Sequence, residues 1–157
     1  MKLLIVRLSA LGDVIQGIPC LVALKESFPD WQISWLVEKP GASVLERHPY
    51  LHKLFVLERE WRKNKWSISF KDFCSGGRNI WHTGQALRRE RFDVVIDLQG
   101  LFESGFWSFL CGAPRRLGHD RTRELSHWFL NEYVSDRPTF DPTYPLAQRY
   151  LDSARYL

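Results

Sequence analysis

The chain opens on an unbroken apolar run, Leu3-Leu4-Ile5-Val6, that stops at the loop Ser9-Ala10-Leu11-Gly12-Asp13. A short continuous apolar run closed in this way reads as a strand buried on both faces, here spanning Lys2 to Ser9. From Val14 to Phe28 the spacing turns helical, with Val14, Ile18, Leu21, Val22, Leu24 and Phe28 apolar and Pro29-Asp30 ending the helix. Gln32 to Val37 predicts a second strand, Pro40 to Arg47 a short helix closed by His48-Pro49, and Lys53 to Leu57 a third strand. Glu58 to Gly77 is basic, aromatic and irregular, and it ends in Ser75-Gly76-Gly77. Arg78 to Arg89 predicts a helix with Ile80 and Leu87 turned inward. Phe92-Asp93-Val94-Val95-Ile96-Asp97 is the clearest strand; it stops at Leu98-Gln99-Gly100, and an apolar helix follows from Leu101 to Cys111. Arg115 to Gly118 and Glu132 to Val134 read as strands, Arg123 to Leu130 as a helix, and a last helix starts near Leu146.

Strands alternating with helices make βαβ units, so the expected class is α/β: a Rossmann-like parallel sheet with helices on both faces. The chain has 157 residues, 45% hydrophobic and 25% charged, which suits one globular soluble domain with its own core. No apolar run approaches the ~18 residues that cross a bilayer, and the first strand is too short for a signal peptide. Cys20, Cys74 and Cys111 are odd in number and widely spaced, with no C-x-x-C pair. That argues against a disulfide framework or a zinc site and for a reducing cytosol. The five histidines are scattered without ligand spacing, so no metal is expected. Trp107 and Trp128 lie in apolar stretches and are expected in the core.

In open α/β sheets ligands bind at the carboxyl ends of the strands. The first such place is Arg7-Leu8-Ser9-Ala10-Leu11-Gly12-Asp13, which matches neither a dinucleotide fingerprint nor a phosphate-binding P-loop. Gly12 permits a tight turn or the close approach of a ligand. Asp13 falls in the first turn of the helix, and two roles fit it. As a cap it contributes ~1 kcal/mol. As a general base it takes a proton from an attacking hydroxyl, with the helix dipole favouring the ionised form.

The opening Lys2-Leu3-Leu4-Ile5-Val6-Arg7-Leu8-Ser9-Ala10-Leu11-Gly12-Asp13-Val14, followed by Ile18-Pro19, resembles the bacterial lipopolysaccharide heptosyltransferases. Three further stretches match in order: Trp35-Leu36-Val37-Glu38; Trp61-Arg62-Lys63 with Lys65-Trp66; and Asp93-Val94-Val95-Ile96-Asp97-Leu98-Gln99-Gly100-Leu101 with Ser104. The second and third of these are most similar to heptosyltransferase I. The resemblance implies the N-terminal half of a B-type, two-domain glycosyltransferase fold, with residues 1–157 as the acceptor-binding domain. The C-terminal nucleotide-sugar domain is then absent from this chain, and the half alone is expected to be inactive. The implied reaction transfers heptose from ADP-heptose to a Kdo sugar on lipid A, inverting and metal-independent. It needs no cofactor beyond the donor substrate, and Asp13 is its base. The implied place is the cytoplasm, peripheral on the inner face of the inner membrane. Arg7 stands where the family often has Lys; it keeps the cation and adds a fork for carboxylate or phosphate.

The net charge of +4 is concentrated in residues 59–91 and 115–123. By itself such a field suits an anionic substrate, an anionic membrane or nucleic acid. With the resemblance, Arg59, Arg62, Lys63 and Lys65 become candidate contacts for the carboxylates and phosphates of the acceptor, and no nucleic acid is expected. Arg121 and Arg123 are candidates for the other side of the pocket. Arg7, Ser9 and Gly12 complete the acceptor set together with Gln99, which either bonds a sugar hydroxyl or shapes its own loop. Asp97 is expected to be structural. The alternatives are a related glycosyltransferase with another donor or acceptor, and a non-catalytic Rossmann module that holds an anionic glycolipid or nucleic acid.

Overall fold

The computed structural model describes residues 1–57, 70–119, 125–134 and 144–157, with the backbone path alone for 70–79. The elements run β1 (Lys2–Val6), α1 (Leu11–Ser27), β2 (Gln32–Glu38), α2 (Lys39–Ala42), β3 (Lys53–Leu57), α3 (Phe70–Glu90), β4 (Val94–Asp97), α4 (Phe102–Leu110), β5 (Arg115–His119), a 3₁₀ turn (Ser126–Phe129), β6 (Glu132–Val134) and α5 (Leu146–Tyr156). The strands form one six-stranded sheet, ordered β3-β2-β1-β4-β5-β6. Every neighbouring pair in it is parallel. The order reverses between β1 and β4, and in open parallel sheets such a switch point, at the carboxyl ends of the strands, is where the ligand crevice lies.

The alternation of side chains along β1 explains both layers. Leu3 and Ile5 join a core with Val14, Leu21 and Leu24 of α1 and Tyr150 of α5. Leu4 and Val6 join the opposite core with Leu87 of α3 and Trp107 of α4. Arg7 has the parity of Leu3 and Ile5, so it continues their row toward α1 and α5. Trp35 is fully buried in the first core, and its indole N–H donates to the carbonyl of Arg7 at 3.2 Å. Helix α1 crosses this ring so closely that a Cβ at Gly17 would stand 2.8 Å from Trp35. A glycine at that point of the helix is therefore a packing requirement.

Five expectations shift, the first being the helix expected over Pro40 to Arg47, which is the single turn Lys39–Ala42 followed by turns through Arg47. Helix α1 begins at Leu11, three residues before the apolar period, because Ala10 is extended and its carbonyl accepts from the N–H of Asp13 and of Val14, each at 3.0 Å. Helix α3 begins at Phe70 and runs through Ser75-Gly76-Gly77. Two glycines cost a helix only about 1 kcal/mol each, and a long hydrogen-bonded segment carries that. Ile80 is 38% exposed whereas Leu87 is fully buried. Among the residues of α3 whose burial is described, the first buried one is Gly84, a turn beyond Ile80. Trp128 is 69% exposed while Trp107 is buried as expected. A single 3₁₀ turn spreads successive side chains by about 120°. Phe129 takes the inward place against Phe102, Phe106 and Phe109, and Trp128 is left outside.

Candidate active site

The crevice between β1 and β4 is built by two short loops that bond to each other. After β4, the chain turns at Gly100, whose φ of +69° lies in the left-handed region that favours glycine. Asp97, fully buried at the strand end, organises this turn. Its Oδ1 accepts the backbone N–H of Gln99 at 2.9 Å and of Gly100 at 3.0 Å. Its Oδ2 accepts the Ser104 hydroxyl at 2.9 Å, which ties the loop to the first turn of α4. Burial pushes the Asp97 carboxyl up; the bonds from Gly100, Ser104 and Gln99 and the nearby His119 oppose that. The structural role expected of Asp97 is the one observed.

Gln99 then reaches across to the other loop. Its Oε1 accepts the backbone N–H of Leu8 at 2.8 Å and of Ser9 at 3.3 Å. The side-chain oxygen thus shapes the loop after β1. Ser9 is half-buried in that loop, and the Ser9–Ala10 peptide is cis. Gly12 sits in the first turn of α1, where an added Cβ would meet nothing within 4 Å. Among the described residues no packing requires glycine there, and what it leaves is open space beside the first turn of the helix.

Asp13 is not a helix cap. The cap position of α1 belongs to Ala10, which offers no side-chain bond. The Asp13 carboxylate instead pairs through Oδ2 with a terminal nitrogen of Arg7. The Arg7 side chain is 8% exposed and that of Asp13 36%, so the pair runs from the core into the crevice. The other terminal nitrogen of Arg7 donates to the Leu98 carbonyl at 3.4 Å. The guanidinium carbon lies 5.7 Å from the centroid of the Tyr150 ring on α5. Among the described residues, Oδ1 of Asp13 has no hydrogen-bond partner, so one carboxylate oxygen is held and the other presented.

The structure thus brings Arg7, Ser9, Gly12, Asp13 and Gln99 to one edge. Arg59, Arg62, Lys63, Lys65, Arg121 and Arg123 lie outside the described residues. The strands that lead toward them, β3 and β5, end on this same edge of the parallel sheet. Tyr150 was not legible as a site residue, because it sits in an ordinary amphipathic helix and meets Arg7 only through the tertiary fold. Among the described residues, no group of three or more His, Cys, Asp or Glu could hold a metal ion.

The sequence model of glycosyltransferase family 9 (heptosyltransferase) matches residues 80–152. The chain is 34% identical over 123 residues to lipopolysaccharide heptosyltransferase 1 of Pseudomonas aeruginosa, covering 77% of this chain and 33% of that protein. It is 32% identical to lipopolysaccharide heptosyltransferase 1 of Salmonella typhimurium, covering 96% of this chain and 54% of that one. Among solved structures, E. coli heptosyltransferase WaaC with ADP-2-deoxy-2-fluoro heptose is similar with a TM-score of 0.78 at 25% identity, over 99% of this chain and 48% of that chain. E. coli ADP-heptose lps heptosyltransferase II has the same fold, with a TM-score of 0.74 at 21% identity, over 98% of this chain and 40% of that one. The chain spans between a third and about half of the length of the curated relatives it matches.

Proposed function

The chain belongs to the bacterial lipopolysaccharide heptosyltransferase family, and from that premise we propose that it forms the acceptor-facing part of an enzyme that transfers heptose from ADP-heptose to a Kdo sugar of the lipopolysaccharide inner core. The observation that carries this reading is the Asp13 carboxylate at the sheet's switch point, with one oxygen held by Arg7 and the other open to the crevice. An acceptor hydroxyl placed over α1, where Gly12 leaves room, donates its proton to Oδ1 of Asp13 as its oxygen attacks the anomeric carbon of the donor. The new glycosidic C–O bond forms on the face opposite the breaking C–O bond to phosphate. ADP leaves with that electron pair, and the configuration inverts. No metal enters the scheme. The donor is assigned to a second domain, and the described part of this chain supplies the base and the floor of the acceptor pocket.

The basic residues Arg59, Arg62, Lys63, Lys65, Arg121 and Arg123 are proposed to meet the carboxylates and phosphates of the acceptor. Among the described residues no helix is long and apolar enough to cross a membrane. The proposed association with the inner membrane is peripheral, through the lipid-anchored acceptor and these cations.

The test is Asp13→Asn in the full-length natural protein, assayed for heptose transfer to a Kdo-lipid A acceptor. The amide oxygen still accepts from Arg7, so the variant is expected to melt within about 1 kcal/mol of wild type. Its kcat should fall by a factor on the order of 10²–10⁴, the usual worth of a placed base. Transfer at the wild-type rate refutes the assignment of the base, and a wild-type protein that transfers no heptose refutes the reaction.

A further inference from the structure

We propose that Arg7 is a positioning residue for Asp13, itself held in place by Tyr150. The proposal rests on Asp13 being the base of the proposed reaction. Arg7 was read from the sequence as a cation for the acceptor, but its surroundings serve a different task. Its backbone is fixed at both ends: the N–H donates to the Leu36 carbonyl at 3.3 Å, and the carbonyl accepts from Trp35 at 3.2 Å. Its side chain is 8% exposed, with one terminal nitrogen on the Leu98 carbonyl and the other on Asp13. The Tyr150 ring, fully buried, lies over the guanidinium carbon at 5.7 Å.

A planar fork with both terminal nitrogens engaged and a ring over it cannot swing toward a ligand without breaking these contacts. What it can do is hold the Asp13 carboxylate in one orientation. Asp13 stands at the first turn of a helix without a capping bond, and among the described residues Arg7 is the group that bonds its carboxylate. The guanidinium of Arg7 only donates hydrogen bonds and takes no part in the proton transfer itself. Tyr150 adds no polar link: among the described residues its hydroxyl has no hydrogen-bond partner, so the ring face is what it offers to Arg7. A reaction that moves a proton between two oxygens depends on their approach, and displacements of about 1 Å cost up to about 10²-fold in rate.

The experiment compares Arg7→Met, Arg7→Lys, Tyr150→Leu and Asp13→Asn in the full-length natural protein, reading kcat, acceptor KM and melting temperature. Arg7→Met is expected to lower kcat by about 10- to 10²-fold with acceptor KM within about twofold, and Arg7→Lys to recover most of that loss. Tyr150→Leu, which leaves the ion pair but removes the ring, should lower kcat by a smaller factor without changing KM. In an Asp13→Asn background, Arg7→Met should cost nothing further, because the group it positions is gone. A loss that appears in acceptor KM with kcat intact overturns the proposal and returns Arg7 to acceptor binding. Wild-type kcat in both folded Arg7→Met and Tyr150→Leu, with Asp13→Asn inactive, overturns the positioning role and leaves the base standing. An Asp13→Asn enzyme of wild-type rate overturns the base itself, and the positioning role with it.

Discussion

Replacing Asp97 tests how the two loops of the site are held together. Its carboxylate accepts two backbone N–H groups and one hydroxyl, at 2.9, 3.0 and 2.9 Å, from a fully buried position. Each bond to such a group contributes about 1–2 kcal/mol net. Removing the carboxyl also removes the cost of burying it, so Asp97→Ala is expected to lose about 3–4 kcal/mol. Asp97→Asn keeps an acceptor for the two N–H groups and turns an N–H₂ toward Ser104, whose oxygen can accept, so its loss should be about 1–2 kcal/mol. The pH dependence separates the two effects. Burial holds the folded carboxyl above its ordinary value of 3.8, so the folded state keeps its proton to a higher pH than the unfolded chain does. This group's contribution is therefore largest below the ordinary value and declines as pH rises through the window up to the raised value. The assay is urea unfolding of wild type and Asp97→Asn between about pH 4 and pH 7, read as the difference in stability. The difference should shrink as pH rises. A difference that is flat with pH, or an Asp97→Ala loss under about 1 kcal/mol, refutes the reasoning.

Gly17→Ala should destabilise by about 1–2 kcal/mol in thermal or urea melts, because the new methyl meets the fully buried Trp35 ring although alanine favours a helix. A neutral or stabilising result would mean that α1 can lift off the ring. Burial pushes the Cys20 thiol up to about 12 and the Cys111 thiol up to about 11, so neither is a thiolate near neutral pH. A thiol reagent at about pH 8 should spare both in the native protein and label both in denaturant, read by peptide mass mapping. Native labelling as fast as in denaturant would contradict the packing.

Period and punctuation carried most of the architecture. Apolar runs at Leu3–Val6 and Val94–Ile96, short and closed by loop residues, read as strands covered on both faces, and the apolar rows of α1 and α4 as the faces that cover them. Alternating strand and helix then left little room for anything but a parallel sheet, whose ligand edge lies at the strand ends. Arg7, Asp13 and Gln99 were legible as neighbours for that reason, though 91 residues separate Leu8 from Gln99. Boundaries were less legible. Ala10 caps α1 by backbone conformation alone, and the glycines at 76 and 77 looked like a stop although the helix passes through them.

The partners of the charged groups belonged to the tertiary structure. Nothing in the pattern around Asp13 separates a capping carboxylate from one drawn back to Arg7, since both are short polar contacts at a helix start. The choice falls to the pair because Arg7, the residue after β1, reaches Asp13 on α1, and α5 brings the Tyr150 ring against its guanidinium. Gln99 could equally have bonded a ligand or its own loop; the parallel pairing of β1 with β4 puts its side-chain oxygen on the Leu8 and Ser9 amides. Local sequence sets the element in which a residue sits and the face it shows. Which long side chain then satisfies which buried charge depends on distances between segments far apart in the chain, and these exist only once the core has packed.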